Sequence, residues 1–194
     1  MMVEKKVFLL LTDTGTMLTK LIKFYTRKPY NHASISFNSE LTEVYSFGRK
    51  TPRNPFIGGF VKEDIKSIIF QKASCAIYSL TLTEEDVERM KRYIKEIEEQ
   101  KEQYRYNFLG LFGVALQRPV KRKKAFFCSQ FVASVLYEAN TFDYNKELAL
   151  IEPSELPKIS NFQLEYEGRL HDYYDNRSIE DRKFAPYPFY SVEM

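Results

Sequence analysis

The chain has 194 residues, of which 44% are hydrophobic and 28% are charged, as in an ordinary globular domain with a substantial core. Its formal net charge of +3 is too small to indicate a nucleic-acid or anionic-membrane partner. No apolar run approaches the ~20 residues that span a bilayer. The apolar run at residues 7–11 is also too short for a secretory signal. We therefore expect a cytoplasmic protein.

Cysteine and histidine usage argues against a structural metal site. The chain carries two cysteines, Cys75 and Cys128, and two histidines, His32 and His171. Both thiols are expected to stay reduced in the cytoplasm. The four residues lack the close spacing typical of structural zinc ligands, such as C-x-x-C. We therefore expect neither a metal nor another cofactor.

The N-terminal part of the chain predicts a strand followed by a helix. Residues 7–12 form an apolar run with β-favouring side chains, which is typical of a buried strand. From residue 16 the apolar positions recur at helical spacing, and Pro29 ends the helix because the residue before a proline avoids helical angles.

The next segments predict a β-hairpin and a long loop. Residues 30–37 and 41–48 are rich in small and β-favouring side chains and flank a polar turn. Residues 49–59 contain two prolines and two glycines, which indicates a loop beside the hairpin.

Further along the chain, strands are predicted over residues 68–70 and 74–82. A helix follows Thr83, which forms a capping-box-like pair with Asp86. An aromatic segment at residues 104–112 predicts a short helix. From residue 161 the chain is polar and tyrosine-rich, and its alternation predicts a strand.

Residues 125–136 contain the first candidate for chemistry. There an aromatic, extended segment turns into a helix with one apolar face, which places Cys128 in or beside the first turn. The helix dipole and the unpaired backbone N–H groups of that turn favour thiolate over thiol. A lone cysteine is more often a small buried hydrophobe, and this is the preferred interpretation for Cys75 within its strand.

A cysteine nucleophile needs a base and a group that orients the base. His32 is the leading base because it starts a predicted strand, whereas His171 lies in a polar stretch typical of a surface. The partner strand of the hairpin offers Glu43 as the orienting group. Because the hairpin register is not determined by the sequence, two competitors remain open: Tyr45 and Ser46.

Arg118 and the basic run at residues 121–124 directly precede the cysteine segment. Such a run is most often a solvated loop. The alternative is that it attracts an anionic substrate group.

Three short motifs together resemble the circularly permuted, papain-like NlpC superfamily, and within it the YiiX-like cysteine hydrolases. They are TDTG at residues 12–15, YNHASI at 30–35 and FCSQFV at 127–132. In this group the histidine precedes the cysteine, as it does here. The resemblance covers roughly residues 7–157 and implies an α+β fold in which an antiparallel sheet packs against helices.

The resemblance also assigns site residues. It implies Cys128 as nucleophile, His32 as base and Glu43 as the residue that orients the base. The family carries a tyrosine before the cysteine helix, and Tyr106 is its nearest match. Candidates for substrate contact are Tyr106, Tyr45 and Ser129.

The implied activity is hydrolysis of an amide, such as a bond in a cell-wall peptide fragment, through a Cys128 thioester. Two other readings remain open. One is a lipid-directed acyltransferase or esterase, with the apolar loop at residues 56–60 admitting acyl chains. The other is a catalytically silent ligand-binding domain. We expect a catalytic domain over residues 1–160, with a tyrosine-rich extension at 161–194 packed on it.

Overall fold

A six-stranded antiparallel sheet forms the centre of the computed structural model, which describes residues 3–15, 27–50, 57–139, 146–159 and 161–174. The strand order is β4-β3-β2-β1-β5-β8. The strands are β1 Glu4–Asp13, β2 His32–Ser36, β3 Val44–Arg49, β4 Gly58–Glu63, β5 Ser74–Thr83 and β8 Gln163–Arg169. The helix predicted from residue 16 and the end of the extension after residue 174 lie outside the described residues.

Helices and a small parallel ladder complete the fold. The helices are α1 Glu84–Glu99, α2 Phe108–Ala115, α3 Cys128–Tyr137 and α4 Leu156–Ile159, and short 3₁₀ turns cover Lys101–Gln103, Leu148–Leu150 and Pro153–Glu155. The ladder joins β6 Arg105–Tyr106 to β7 Ala125–Phe126. The α+β class and the antiparallel sheet packed against helices are therefore confirmed. No helix among the described residues is long and apolar enough to cross a bilayer.

The predicted elements that the structure contains are those with strong local sequence patterns. β1 is apolar on both faces because it is a central strand: Leu9 faces the helices α1 and α3, while Leu10 faces a second core on the other side. Thr83 caps α1 by accepting the Asp86 backbone N–H at 3.2 Å. The strand predicted after residue 161 is β8, which extends the sheet by pairing with β5.

Two sequence predictions in the middle of the chain are wrong. Both ends of the loop expected over residues 49–59 lie in strands, because β3 ends at Arg49 and β4 begins at Gly58, its partner in the antiparallel pairing. The strand expected at residues 68–70 is a series of turns, in which the Phe70 N–H donates to the Ser67 carbonyl at 2.9 Å. Glycines at the start of β4 hid the strand because glycine is depleted in strands.

The aromatic core beneath the sheet holds α3 in place. Phe47 of β3 is fully buried and packs against rings from four different segments. Its ring centroid lies 5.1 Å from that of Phe131, 5.2 Å from Phe126, 6.0 Å from Tyr104 and 6.1 Å from Phe60. This one side chain therefore ties β3 and β4 to β7 and to the helix that begins with Cys128.

We expect Phe47→Ala to lower the free energy of unfolding by about 3–5 kcal/mol, because it leaves a cavity at the centre of this cluster. Urea denaturation measures the change. Ile68→Ala is the control: its side chain is 75% exposed, so its effect should stay within about 0.5 kcal/mol. Equal effects of the two substitutions would contradict the role of Phe47.

Candidate active site

Cys128 is the first residue of α3, and its side chain is buried. The preceding Phe127 is extended and offers no side-chain cap to the helix, so the first N–H groups of α3 are open to other acceptors. Ser129 is predicted as a substrate contact, but its hydroxyl donates to the Ile151 carbonyl at 2.7 Å. The Ser129 side chain is therefore a structural link that anchors the start of the helix.

The structure brings Cys128 and His32 together. α3 packs across β2 and β3, and His32 is the first residue of β2. The Cys128 sulfur lies 3.9 Å from the Asn31 carbonyl oxygen, and the His32 side chain is close enough to lower the pKa of the thiol. His171, the other histidine, is exposed and does not line the cavity beside this pair.

The carboxylate that contacts the His32 imidazole belongs to Glu63. The prediction that Glu43 orients the imidazole is therefore wrong. Glu63 Oε1 lies 2.7 Å from His32 Nε2, and Ser34 donates to the second oxygen of the same carboxylate at 2.5 Å. The Glu63 side chain is only 7% exposed. Glu43 lies in the bend before β3 and makes no hydrogen bond with His32 among the described residues.

The two competitors for this position lie on opposite faces of β3. Ser46 is beside His32, with its hydroxyl 3.4 Å from Nε2, but it donates to the Ala33 carbonyl at 2.9 Å. Tyr45 packs in the aromatic core, with its ring centroid 6.1 Å from that of Phe60. Tyr45 therefore does not reach the site as the predicted substrate contact.

Sequence reasoning missed Glu63 because its strand was not recognised. Glu63 ends β4, and only the pairing of β4 with β3 places its side chain near His32. The sequence offers no alternation that would reveal this strand, since residues 60–63 are Phe, Val, Lys and Glu, two apolar side chains followed by two charged ones.

Tyr106 borders the sulfur from another direction. It is buried, ends the short strand β6, and its side chain interacts with Cys128. Gly58 makes this placement possible, since a β-carbon there would lie 2.8 Å from the Tyr106 β-carbon. The structure therefore brings the predicted Tyr106 to the Cys128–His32 pair.

The surroundings favour a thiolate at Cys128. Burial raises the pKa of the thiol, but the hydrogen bond and the positive charge of His32 act in the opposite direction. Backbone N–H groups of Ala33 and Ser129 add hydrogen bonds to the sulfur. The net result is a pKa of Cys128 below its ordinary value.

The same surroundings favour an imidazolium at His32. Burial by itself lowers the pKa of His32, but the Glu63 carboxylate and the hydrogen bonds with Cys128 and Glu63 raise it to about 10. With the pKa of Cys128 lowered and that of His32 raised, the surroundings favour a thiolate beside an imidazolium. Burial, followed by the negative charge of Cys128, raises the pKa of Tyr106 well above its ordinary value. Tyr106 therefore stays protonated beside the sulfur.

A cavity of about 200 Å³ opens beside this group. Its lining includes His32, Arg49, Glu63, Tyr106, Phe70 and Phe108. Two of these lining residues, His32 and Tyr106, interact with Cys128, which does not itself line the cavity. A compact group in the cavity would therefore contact the two side chains that adjoin the thiol. Within the described part of the chain, no group of three or more His, Cys, Asp or Glu side chains is arranged to hold a metal ion.

Comparison of the chain with protein-family models, with curated proteins and with solved structures finds no match.

We expect Glu63→Gln to lower the titration midpoint of His32 from about 10 by roughly 1–3 pH units, because the opposing carboxylate is lost while burial remains. NMR chemical shifts of the imidazole measure the midpoint. At pH values between the lowered and the original midpoint, His32 is neutral in the variant but charged in the unsubstituted protein. The pKa of Cys128 is then higher in the variant, so its alkylation should be slower in that pH range.

Glu43→Gln is the matched control, since it removes the same charge from a carboxylate that does not contact His32. Both the midpoint and the alkylation rate should stay at their unsubstituted values. A His32 midpoint that is unchanged in Glu63→Gln would refute the assignment of Glu63.

Proposed function

We propose that this protein is a thiol-dependent hydrolase that cleaves an amide through a Cys128 thioester, with a permuted papain-like arrangement of its residues. One observation carries the proposal: Cys128, His32 and Glu63 form a buried chain of contacts that favours thiolate and imidazolium together. A nucleophile, a base and an orienting carboxylate in this relation are the general requirement of nucleophilic acyl transfer. The order of histidine before cysteine agrees with the permuted group.

The first half of the reaction forms a thioester. The Cys128 thiolate attacks the carbonyl carbon, and the carbonyl π electrons move to the oxygen. As the tetrahedral intermediate collapses, the C–N bond breaks and the leaving amine takes the proton from His32. Glu63 acts as a positioning residue, because it holds His32 through Nε2 and so leaves Nδ1 for the sulfur and the leaving group.

The second half restores the enzyme. His32, now neutral, takes a proton from a water molecule as the water oxygen attacks the thioester carbonyl. The C–S bond breaks, the carboxylic acid leaves, and the thiolate and imidazolium form again. The net reaction is hydrolysis of the amide by one water.

Two kinds of donor near the sulfur support stabilisation of the oxyanion. The Cys128 backbone N–H lies at the uncapped start of α3, where the helix dipole favours negative charge. The protonated hydroxyl of Tyr106 interacts with Cys128. Donation from this hydroxyl to an oxyanion formed beside the sulfur would stabilise the charge as it develops.

The small volume of the cavity, about 200 Å³, favours a compact acyl group such as one amino-acid residue of a small peptide. A cell-wall-type peptide fragment is one substrate of this size class. Soluble amides of this kind are consistent with the absence of a membrane-spanning helix among the described residues.

A specific observation favours a second function, the lipid-directed acyltransferase or esterase. Phe108 of α2 lines the cavity, while Leu109 and Leu116 of the same segment are 55% and 69% exposed. Ile57, before β4, is also 49% exposed. Exposed apolar side chains beside a cavity mouth are suited to acyl chains. The amide hydrolase is preferred because the cavity itself is small.

We expect iodoacetamide to alkylate Cys128 at neutral pH and to spare Cys75. Burial raises the pKa of Cys75 to about 12, with a further contribution from Glu167, so this thiol stays protonated and unreactive. Mass spectrometry of digested protein measures both sites. The enzyme assignment would be refuted if Cys128 resisted labelling equally in the unsubstituted protein and in His32→Ala. The protein would then be a ligand-binding domain.

We expect small peptide amides to be turned over faster than short-chain acyl esters or phospholipids by the unsubstituted protein, as measured by product release. Cys128→Ala should abolish turnover. Cys75→Ala should retain it, because it removes a thiol of the opposite core face. Cys128-dependent turnover of phospholipids but not of peptide amides would favour the second function.

A further inference from the structure

One half-buried cation on the cavity wall has no ionic partner in the described part of the chain. Arg49 is the last residue of β3, where it pairs with Gly58, and it lines the cavity. None of the described carboxylates forms an ion pair with it. Burial lowers the pKa of its guanidinium, although the neighbouring Tyr106 acts in the opposite direction. A guanidinium in such a place is a ready partner for an anion.

The two carboxylates that line the cavity have other roles. Glu63 is bound to His32 and Ser34 through its two oxygens. Asp64 accepts the backbone N–H of Lys66 at 3.0 Å in the turn after β4. Neither neutralises Arg49.

The neighbouring lysines are also engaged. Lys50 lies 3.6 Å from a Glu102 carboxylate oxygen. The Lys62 ammonium lies over the Tyr45 ring, 5.5 Å from its centroid. Arg49 is therefore distinguished from the other cations around the cavity by the absence of a described partner.

The position of Arg49 relative to the sulfur defines what it would recognise. Tyr106 interacts with both Arg49 and Cys128, and it lines the same cavity as Arg49 and His32. A compact molecule in the cavity would therefore reach the guanidinium while it lies beside the two side chains that adjoin the thiol. The planar fork of arginine fits the two oxygens of a carboxylate, whereas a partly desolvated cation without a partner is unfavourable.

We propose that Arg49 forms a carboxylate-binding subsite, so that the acyl donors of Cys128 carry a carboxylate close to the scissile carbonyl. The inference rests on the proposed function, because it assigns a substrate class to the same nucleophile. It separates substrates by charge: acidic peptide fragments and acyl amino acids bind, while neutral analogues of the same size bind less well.

The test compares two alkylating reagents that differ in charge. Iodoacetate and iodoacetamide both form a thioether with the Cys128 thiolate and release iodide, but only iodoacetate presents a carboxylate to Arg49. Second-order rate constants are measured for the unsubstituted protein, Arg49→Gln, Arg49→Lys and Arg105→Gln. Arg105 is the matched control because it is exposed and does not line the cavity.

We expect Arg49→Gln to slow iodoacetate about tenfold or more, as befits loss of a charged hydrogen bond, with little change for iodoacetamide. Arg49→Lys should keep part of the preference, since it retains the charge without the fork. Arg105→Gln should leave the ratio of the two rates unchanged. Equal slowing of both reagents in Arg49→Gln would mean a structural role and would overturn the subsite.

A second measurement on the unsubstituted protein does not depend on the folding of any variant. N-acetylglycinate should protect Cys128 from iodoacetamide at lower concentration than N-acetylglycinamide, which differs only by having an amide in place of the carboxylate. Equal protection by the two compounds overturns the subsite while leaving the nucleophile intact. Failure of iodoacetamide to label Cys128 in the unprotected protein overturns the proposed function and the subsite with it.

Discussion

The site depends on the interaction between the buried imidazolium of His32 and the Glu63 carboxylate. Taking a thiolate and an imidazolium out of water costs several kcal/mol for each ion. Cys128 and Glu63 contact the imidazolium, and Ser34 holds the far oxygen of the Glu63 carboxylate. Without Glu63, the burial of His32 would favour the neutral imidazole. Through the charge that it favours on His32, the carboxylate thus also favours the thiolate of Cys128.

The fold serves this interaction by fixing three backbones against one another. β2 supplies His32, β4 supplies Glu63, and α3 begins at the sulfur. Phe47 and the rings around it join β3 and β4 to α3, so the core that stabilises the protein also sets the distance between nucleophile and base. Gly58 adds a close approach that a larger residue would prevent, and this admits Tyr106.

The local sequence predicted the nucleophile and the base of the site but not the carboxylate that contacts the base. Cys128 and His32 were found because each begins an element with a clear pattern, an apolar-periodic helix and a β-favouring strand. Glu63 was missed, and Glu43 was chosen instead, because the choice depended on a pairing between β3 and β4 that no local pattern shows. Tyr106 was found through resemblance, although its contact with the sulfur arises from the parallel pairing of β6 and β7.

The sequence by itself determined the elements with strong periodicity, namely β1, the β2–β3 hairpin, β5, α1 and the cysteine helix. These depend on interactions between neighbours in the chain and on one apolar face. Only the tertiary structure decided that the Glu63 carboxylate contacts the His32 imidazole and that Arg49 and Tyr106 line the same cavity. Such contacts depend on strand pairing and side-chain burial between segments distant in sequence. A glycine-led strand such as β4 leaves almost no local signal of that pairing.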